Sequence, residues 1–300
     1  MLRDRVLSAV VGLPLIWLFA HYGALCIATA AYGAGFVVGM LVIALLAMSE
    51  LLNPMAQEGH APASLPPCLG AAMLLPAVWL GGLGDRLSDP ALAHVGSLLL
   101  VISFLVASVG ALLVSVFRGT TQGSVRTAAT SVLVFAYVPF LFSYALRLRQ
   151  MDLPATLGDP DAWVFWRESG AIFLVVMVTW TADTGAYALG KTIGRRPLAP
   201  RLSPKKTIEG ALGFLLSSVG TAVLCCALMG VPLRHACAIG AIIGVVGQLG
   251  DLAESALKRD MDIKDSGTII PGHGGILDRC DALLFAMPAA YYYLLAVGVR

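Results

Sequence analysis

Apolar residues in this chain do not alternate with polar ones at a helix or strand period; they continue in long runs. Runs near or above the roughly 20 residues that cross a bilayer as a helix recur from end to end. Polar positions gather in short segments between them. The runs predict helices over 6–20, 25–48, 69–83, 95–116, 127–146, 171–190, 210–230, 236–257 and 282–299. The pattern therefore predicts an all-α polytopic membrane protein with about nine transmembrane helices. A large soluble α/β core would need polar helix faces between the runs, and these are missing. Arg3 and Arg5 precede the first run as they would in a signal peptide. No small-x-small cleavage site follows at Phe19-Ala20-His21-Tyr22, so the run is read as a retained helix.

Composition agrees with this class. Of 300 residues, 58% are hydrophobic and 13% charged, against about 25% charged in soluble domains. The mean hydropathy is +0.83. With the N-terminus placed in the cytoplasm, only Arg86, Arg147, Arg149, Arg167, Arg234 and Arg300 fall on the far side, leaving 14 of the 20 basic residues inside. That bias puts both long polar loops of the C-terminal half in the cytoplasm. The six cysteines show no C-x-x-C spacing and read as small hydrophobes. Gly35 and Gly39 have the G-x-x-x-G spacing that permits close helix approach, although glycine is frequent throughout the chain.

The character of the chain changes near residue 170, which divides an N-terminal transmembrane region (1–170) from a C-terminal transmembrane region (171–300), where the candidate catalytic residues are found. Segment 147–170 reads as an external loop whose Trp163 and Trp166 could anchor at the lipid boundary. Beyond it, acids stand where membrane helices should lack them: Asp183 after an apolar run, Asp251 and Glu254 near the end of the eighth helix, Asp281 at the start of the ninth. Such groups are costly in lipid and normally face an interior cavity. Asp251 and Ser255 are i, i+4, and Asp278 and Asp281 are i, i+3, so each pair shares a helix face.

Two loops carry the remaining chemistry. From Ser255 to Asp281, acidic and basic side chains alternate around the glycine run Gly272-His273-Gly274-Gly275. Carboxylates suit a hard cation such as Mg2+, and Lys258, Arg259, Lys264 and Arg279 suit phosphate oxygens. The glycines could let backbone approach a pyrophosphate, or form a plain turn. In the other loop, Ser203 is placed to cap a helix beginning at Pro204, with Glu209 further on. A helix N-terminus bearing Lys205, Lys206 and Thr207 would bind anions.

The segment Ser255-x-x-Lys258-Arg259, Lys264-Asp265, Pro271-Gly272-His273-Gly274-Gly275, Asp278-Arg279-x-Asp281 resembles the signature of phosphatidate cytidylyltransferases. Upstream, Trp180 to Tyr187, including Asp183, and Ser203 to Gly210 also resemble that family's segments, in the same order. Cys280 departs from the aliphatic or Thr residue more usual there. The likeness covers roughly residues 180–285. It implies the reaction of CTP with phosphatidate to give CDP-diacylglycerol and pyrophosphate, with Mg2+ required. The family's metal centre, which can also include K+, falls on Asp251 and Asp278, and Asp281 is a further candidate.

The resemblance also implies a homodimer. The expected partners are CTP, phosphatidic acid and membrane lipid, with no nucleic acid. The expected location is a bacterial inner membrane with the site facing the cytoplasm. Lys206, Lys258, Arg259, Lys264 and Arg279 are expected to cradle phosphates, with Ser203 and Ser255 as hydrogen-bond donors. His273 could protonate a leaving oxygen or brace the turn. A CTP-dependent lipid kinase or an ether-lipid cytidylyltransferase would share the membrane and metal logic but not the full signature. A secondary transporter would call for inverted repeats, and none is found.

Overall fold

The structure, a computed structural model, describes residues 33–57, 62–119, 122–159, 164–267 and 274–299. The expected first helix and His273 lie outside these residues. The helices are α1 (Ala34–Gln57), α2 (Leu65–Leu87), α3 (Pro90–Phe117), α4 (Ser124–Arg149), the short α5 (Leu153–Leu157), α6 (Val164–Ile193), α7 (Ile208–Leu228), α8 (Leu233–Asp260) and α9 (Leu277–Ala296). Seven of those described are long and apolar enough to cross a membrane. The molecule is an all-α polytopic membrane protein, with one small addition: strands β1 (Pro197–Ala199) and β2 (Ser203–Thr207) pair antiparallel between α6 and α7.

Three sequence expectations need correction. The helix drawn to residue 48 runs on to Gln57 through Ser49, Glu50 and Pro54. Glu50 faces inward and is only 4% exposed, because the fold supplies its carboxylate with partners. Segment 147–170 is not a free external loop: Leu148, Met151 and Leu153 are buried, and α6 already starts at Val164. Ser203 does not cap a helix. It opens β2, and the cap is Thr207, whose hydroxyl accepts a hydrogen bond from Gly210 N–H at 3.1 Å. Proline is tolerated in an edge strand, and Pro204 lies within β2, so the chain stays extended until Thr207 (φ −116°, ψ 155°) turns it into α7.

The chain divides into two compact units. One comprises the chain up to Arg147 together with Asp265–Asp278; the other comprises Leu148–Lys264 and Arg279–Arg300. In the first unit, α3 shows how membrane helices pack without a hydrophobic drive between them. Its buried residues are small: Gly96, Ser103, Ala107, Ala111 and Ser115. The last four repeat at i, i+4, forming a narrow seam. Its large side chains point the other way, with Leu98, Val101, Leu105 and Leu112 each about half exposed. Apolar bulk faces lipid and small residues face protein.

Local chemistry starts and bends these helices. Asp89 caps α3, its Oδ1 accepting from Ala91 N–H at 3.0 Å and Leu92 N–H at 3.2 Å, with Pro90 at the first position. Within α4, residues Ala136–Phe140 form a π turn at Pro139, whose ring cannot join a regular α ladder. The Ser131 hydroxyl accepts from Ala63 N–H at 2.8 Å, satisfying backbone just before α2.

The α2–α3 seam gives a direct test. A Cβ at Gly96 would stand 2.6 Å from Gly81 Cα and 2.8 Å from Ala77 O, both backbone atoms that cannot swing away. Gly96→Val is expected to destabilise the protein by about 1–3 kcal/mol, seen as a lowered unfolding midpoint in detergent. Gly220→Val, where a Cβ meets nothing within 4 Å, is expected to leave the midpoint unchanged.

Candidate active site

The second unit gathers acids from three helices. Asp251 and Glu254 lie one turn apart on α8, and Asp281 comes from α9. One carboxylate oxygen from each lies within 4.8 Å of the other two. Gly250 makes this possible: a Cβ there would stand 2.7 Å from Asp281 O and 3.0 Å from Phe285 Cβ, so any larger residue would push α9 away. Asp183, on α6, is near enough for Asp251, Lys206 and Arg279 to act on it through their charges.

Cations are matched to this acid cluster. Lys206 on β2 forms an ion pair with Asp251. Lys258 Nζ pairs with Glu254 Oε2 at 2.8 Å across one turn of α8; the glutamate side chain is fully buried and the lysine nearly so. Burying a carboxylate is affordable only with such a partner. The four acids Asp183, Asp251, Glu254 and Asp281 face the three cations Lys206, Lys258 and Arg279. If all are ionised, the group carries one excess negative charge.

A cavity of about 490 Å³ opens beside this cluster. Asp183, Ser203, Lys205, Lys206, Thr207 and Asp251 line it, with Tyr187, Phe214 and Gln248 among the rest. The hairpin brings the polar residues of β2 to its rim. Glu209 holds the hairpin's entry, its Oε2 accepting from Arg195 N–H at 3.0 Å and Arg196 N–H at 3.2 Å. Arg259 braces the turn, donating to Leu202 O at 3.3 Å and to Ile263 O at 2.8 Å. Both side chains make local backbone contacts in this structure. Ser255 is buried on α8, and Lys264, Asp265 and Arg279 are exposed.

Asp278 belongs to the first unit, in the first turn of α9. Its carboxylate accepts backbone N–H groups from Gly275 at 2.8 Å and from Ser266 at 3.0 and 3.2 Å. Gly274 takes the left-handed conformation (φ 83°) beside it, which favours glycine.

Of the predicted residues, the structure thus brings Asp183, Ser203, Lys205, Lys206, Thr207, Asp251, Lys258 and Asp281 into the second unit's acid cluster and cavity. Glu254 was absent from the predicted ligands, although its i, i+3 spacing from Asp251 and i, i+4 spacing to Lys258 are visible in the sequence. Glu50 carried no signal beyond being an acid in an apolar run.

The described residues define a polytopic helical membrane protein with an acid–lysine cluster beside a cavity. The chain matches the model of the cytidylyltransferase family over residues 4–297. It is 32% identical over 306 residues to a phosphatidate cytidylyltransferase of Synechocystis sp., covering 97% of this chain and 96% of that protein. A phosphatidate cytidylyltransferase of Staphylococcus haemolyticus is 32% identical over 289 residues, 96% of each chain. That of Bacillus subtilis is 41% identical over 160 residues, 53% of this chain and 55% of its own length. The chain belongs to the cytidylyltransferase family. It is an enzyme, a nucleotidyltransferase.

The buried ion pair predicts a stability effect. Lys258→Met leaves Glu254 buried without its lysine and is expected to cost about 3–5 kcal/mol, read as a lowered unfolding midpoint in detergent. Lys205→Met, at an exposed position, is expected to stay within about 0.5 kcal/mol of the parent.

Proposed function

We propose that this protein is a phosphatidate cytidylyltransferase, joining CTP and phosphatidate into CDP-diacylglycerol and releasing pyrophosphate. The observation that carries the proposal is the meeting of Asp251, Glu254 and Asp281 oxygens beside a cavity lined by Lys205, Lys206, Ser203 and Thr207. That arrangement suits two phosphate-bearing substrates and a cation, and the names of the relatives supply the substrates.

Phosphatidate is itself the nucleophile. Its phosphomonoester has a second pKa of roughly 6, so it is largely ionised at neutral pH. A lipid phosphate oxygen forms the new bond to the α-phosphorus of CTP, the bond from that phosphorus to the bridging oxygen breaks, and pyrophosphate leaves. No proton has to be removed from the nucleophile. The main obstacle is the repulsion between two anions, which calls for placed positive charge and in-line positioning.

The acid trio fits Mg2+ by donor chemistry. All donors are hard oxygens, and ligands about 2.1 Å from one ion lie roughly 3–4 Å apart, within a small side-chain adjustment of the 4.8 Å seen here. Asp251, Glu254 and Asp281 would hold the ion, and the close approach of their oxygens favours a cation among them. When bound, Mg2+ neutralises phosphate charge and makes pyrophosphate a better leaving group.

The protein's own groups do the rest. Lys206 can turn from Asp251 to a substrate phosphate while Asp251 turns to the cation accompanying it, so that neither charge is left unpaired. Lys205, Ser203 and Thr207 at the cavity rim can donate to further phosphate oxygens. Arg279 adds positive charge near Asp183. Placement of the site on the cytoplasmic face of a bacterial inner membrane follows from the positive-inside bias and from where CTP is found. The homodimer follows from the family resemblance.

The test is transfer of label from [α-32P]CTP to the organic phase by purified protein with phosphatidate and Mg2+. Labelled CDP-diacylglycerol with matching pyrophosphate, abolished by EDTA, is the expected result. Asp281→Asn and Asp251→Asn are each expected to lower kcat by about 100-fold or more. They should also lose any Mg2+-induced rise in the unfolding midpoint. Transfer of γ-label to a lipid alcohol, or an undiminished Asp281→Asn rate, would overturn the proposal.

A further inference from the structure

An acid within a membrane helix is costly unless it has work to do, and Glu50 lies inside α1 with 4% exposure. Its two oxygens divide three donors from the segment that carries the signature. Oε1 accepts from Ile276 N–H at 2.9 Å. Oε2 accepts from Leu277 N–H at 2.8 Å and from the Ser266 hydroxyl at 3.3 Å. Ile276 immediately precedes α9 and Leu277 opens it, so the carboxylate meets N–H groups at the positive end of a helix dipole. A Cβ at Gly267 would lie 2.6 Å from Glu50 Oε1, so this position admits the carboxylate only because it is glycine.

The same segment holds Asp278. Ser266 is shared: its hydroxyl goes to Glu50, and its backbone N–H goes to Asp278. Gly275, which donates to Asp278 Oδ2 at 2.8 Å, immediately precedes the two residues gripped by Glu50. All these residues fall in the first compact unit.

We infer that Glu50 is a positioning residue for the signature. Its carboxylate ties residues 265–267 to residues 274–277 and so sets the backbone that presents and orients Asp278. The inference rests on the functional reading above and on the family resemblance, which implies that Asp278 belongs to the metal centre. Glu50 itself touches no substrate; it acts through the segment it holds. The carboxylate form is required because all three partners are donors. Glutamine has the same size but would turn an amide N–H2 against one or more of them.

The test uses the full-length protein in detergent with two readouts: steady-state kinetics and backbone hydrogen exchange. Glu50→Gln is expected to lower kcat by roughly 10- to 100-fold with KM for CTP within about twofold of the parent. Exchange should rise in peptides covering 265–267 and 274–278 and stay at the parent level elsewhere. Glu50→Asp keeps the charge and should recover part of the lost rate. Parent-level kcat, or parent-level exchange in those peptides, for a folded Glu50→Gln would overturn the inference. If Glu50→Gln does not fold, Ser266→Ala, which removes a single hydroxyl, decides the matter. Faster exchange at 276–278 supports the clamp, and unchanged exchange refutes it. A parent enzyme that transfers no label defeats the functional reading instead, while the exchange result still reports on Glu50.

Discussion

Mutually repelling carboxylates set the terms for the second unit. Bringing Asp251, Glu254 and Asp281 within 4.8 Å of one another is unfavourable in a medium of low dielectric. Several features of the unit compensate. Gly250 lets α9 approach α8 closely enough for the cluster to exist. Lys258 and Lys206 each take one carboxylate as a partner. The hairpin, otherwise an oddity in a helical protein, delivers Lys206 on an extended strand instead of at the start of a helix. A cluster compensated only in part favours added positive charge, which is what the proposed Mg2+ site calls for.

The rest of the described protein answers to a different constraint. Lipid is as apolar as any leucine, so burying a large side chain between membrane helices gains little, and close packing of small residues holds them together. The face of α3 built from Ser103, Ala107, Ala111 and Ser115 is the plainest case. A reader trained on soluble proteins would take its leucines and valines for the core, yet they face outward. The polar groups kept inside are those with partners in hand. Ser131 bonds the Ala63 backbone, and Glu50 bonds the start of α9.

How much of this was legible in the sequence follows from the same physics. Membrane class was plain because the apolar runs in the sequence are long and are not interleaved with polar helix faces. The long helices α2, α3, α4, α7, α8 and α9 were legible to within about five residues, whereas α5 and the first turns of α6 fell in a segment that read as a loop. The end of α1 was not legible, because Glu50 and Pro54 look like an exit to water; only residues more than 200 positions away reveal that the acid is satisfied. The cap of α7 was misplaced because Ser-Pro is a good helix start in isolation, and strand pairing with Pro197–Ala199 overrode it. Asp183, Lys206, Asp251 and Asp281 were legible as site candidates because charge in such a chain is conspicuous. Glu254 was equally conspicuous, but a glutamate four residues before a lysine reads as an ordinary helical ion pair.

Lys206 and Asp251 carry this reasoning one step further, because a pairing that stabilises the resting protein must also be able to give way. A permanent ion pair would be a poor place to bind phosphate, since both charges are already neutralised. This pair is about a quarter to a third exposed and stands at the wall of the cavity. Lys206 Nζ itself is buried, so separating the pair requires a replacement partner for each charge. An incoming phosphate and its counter-cation would return a partner of opposite sign to each group. Substrate binding is then an exchange of charge partners at nearly constant net charge, in place of the burial of new charge. The deeper pair, Lys258 with Oε2 of Glu254, lies off the cavity lining, and its energetics favour keeping the lysine beside the acid. On the proposed function the two lysines, alike in sequence, would have different tasks: Lys206 to be released to substrate, and Lys258 to keep an acid in place.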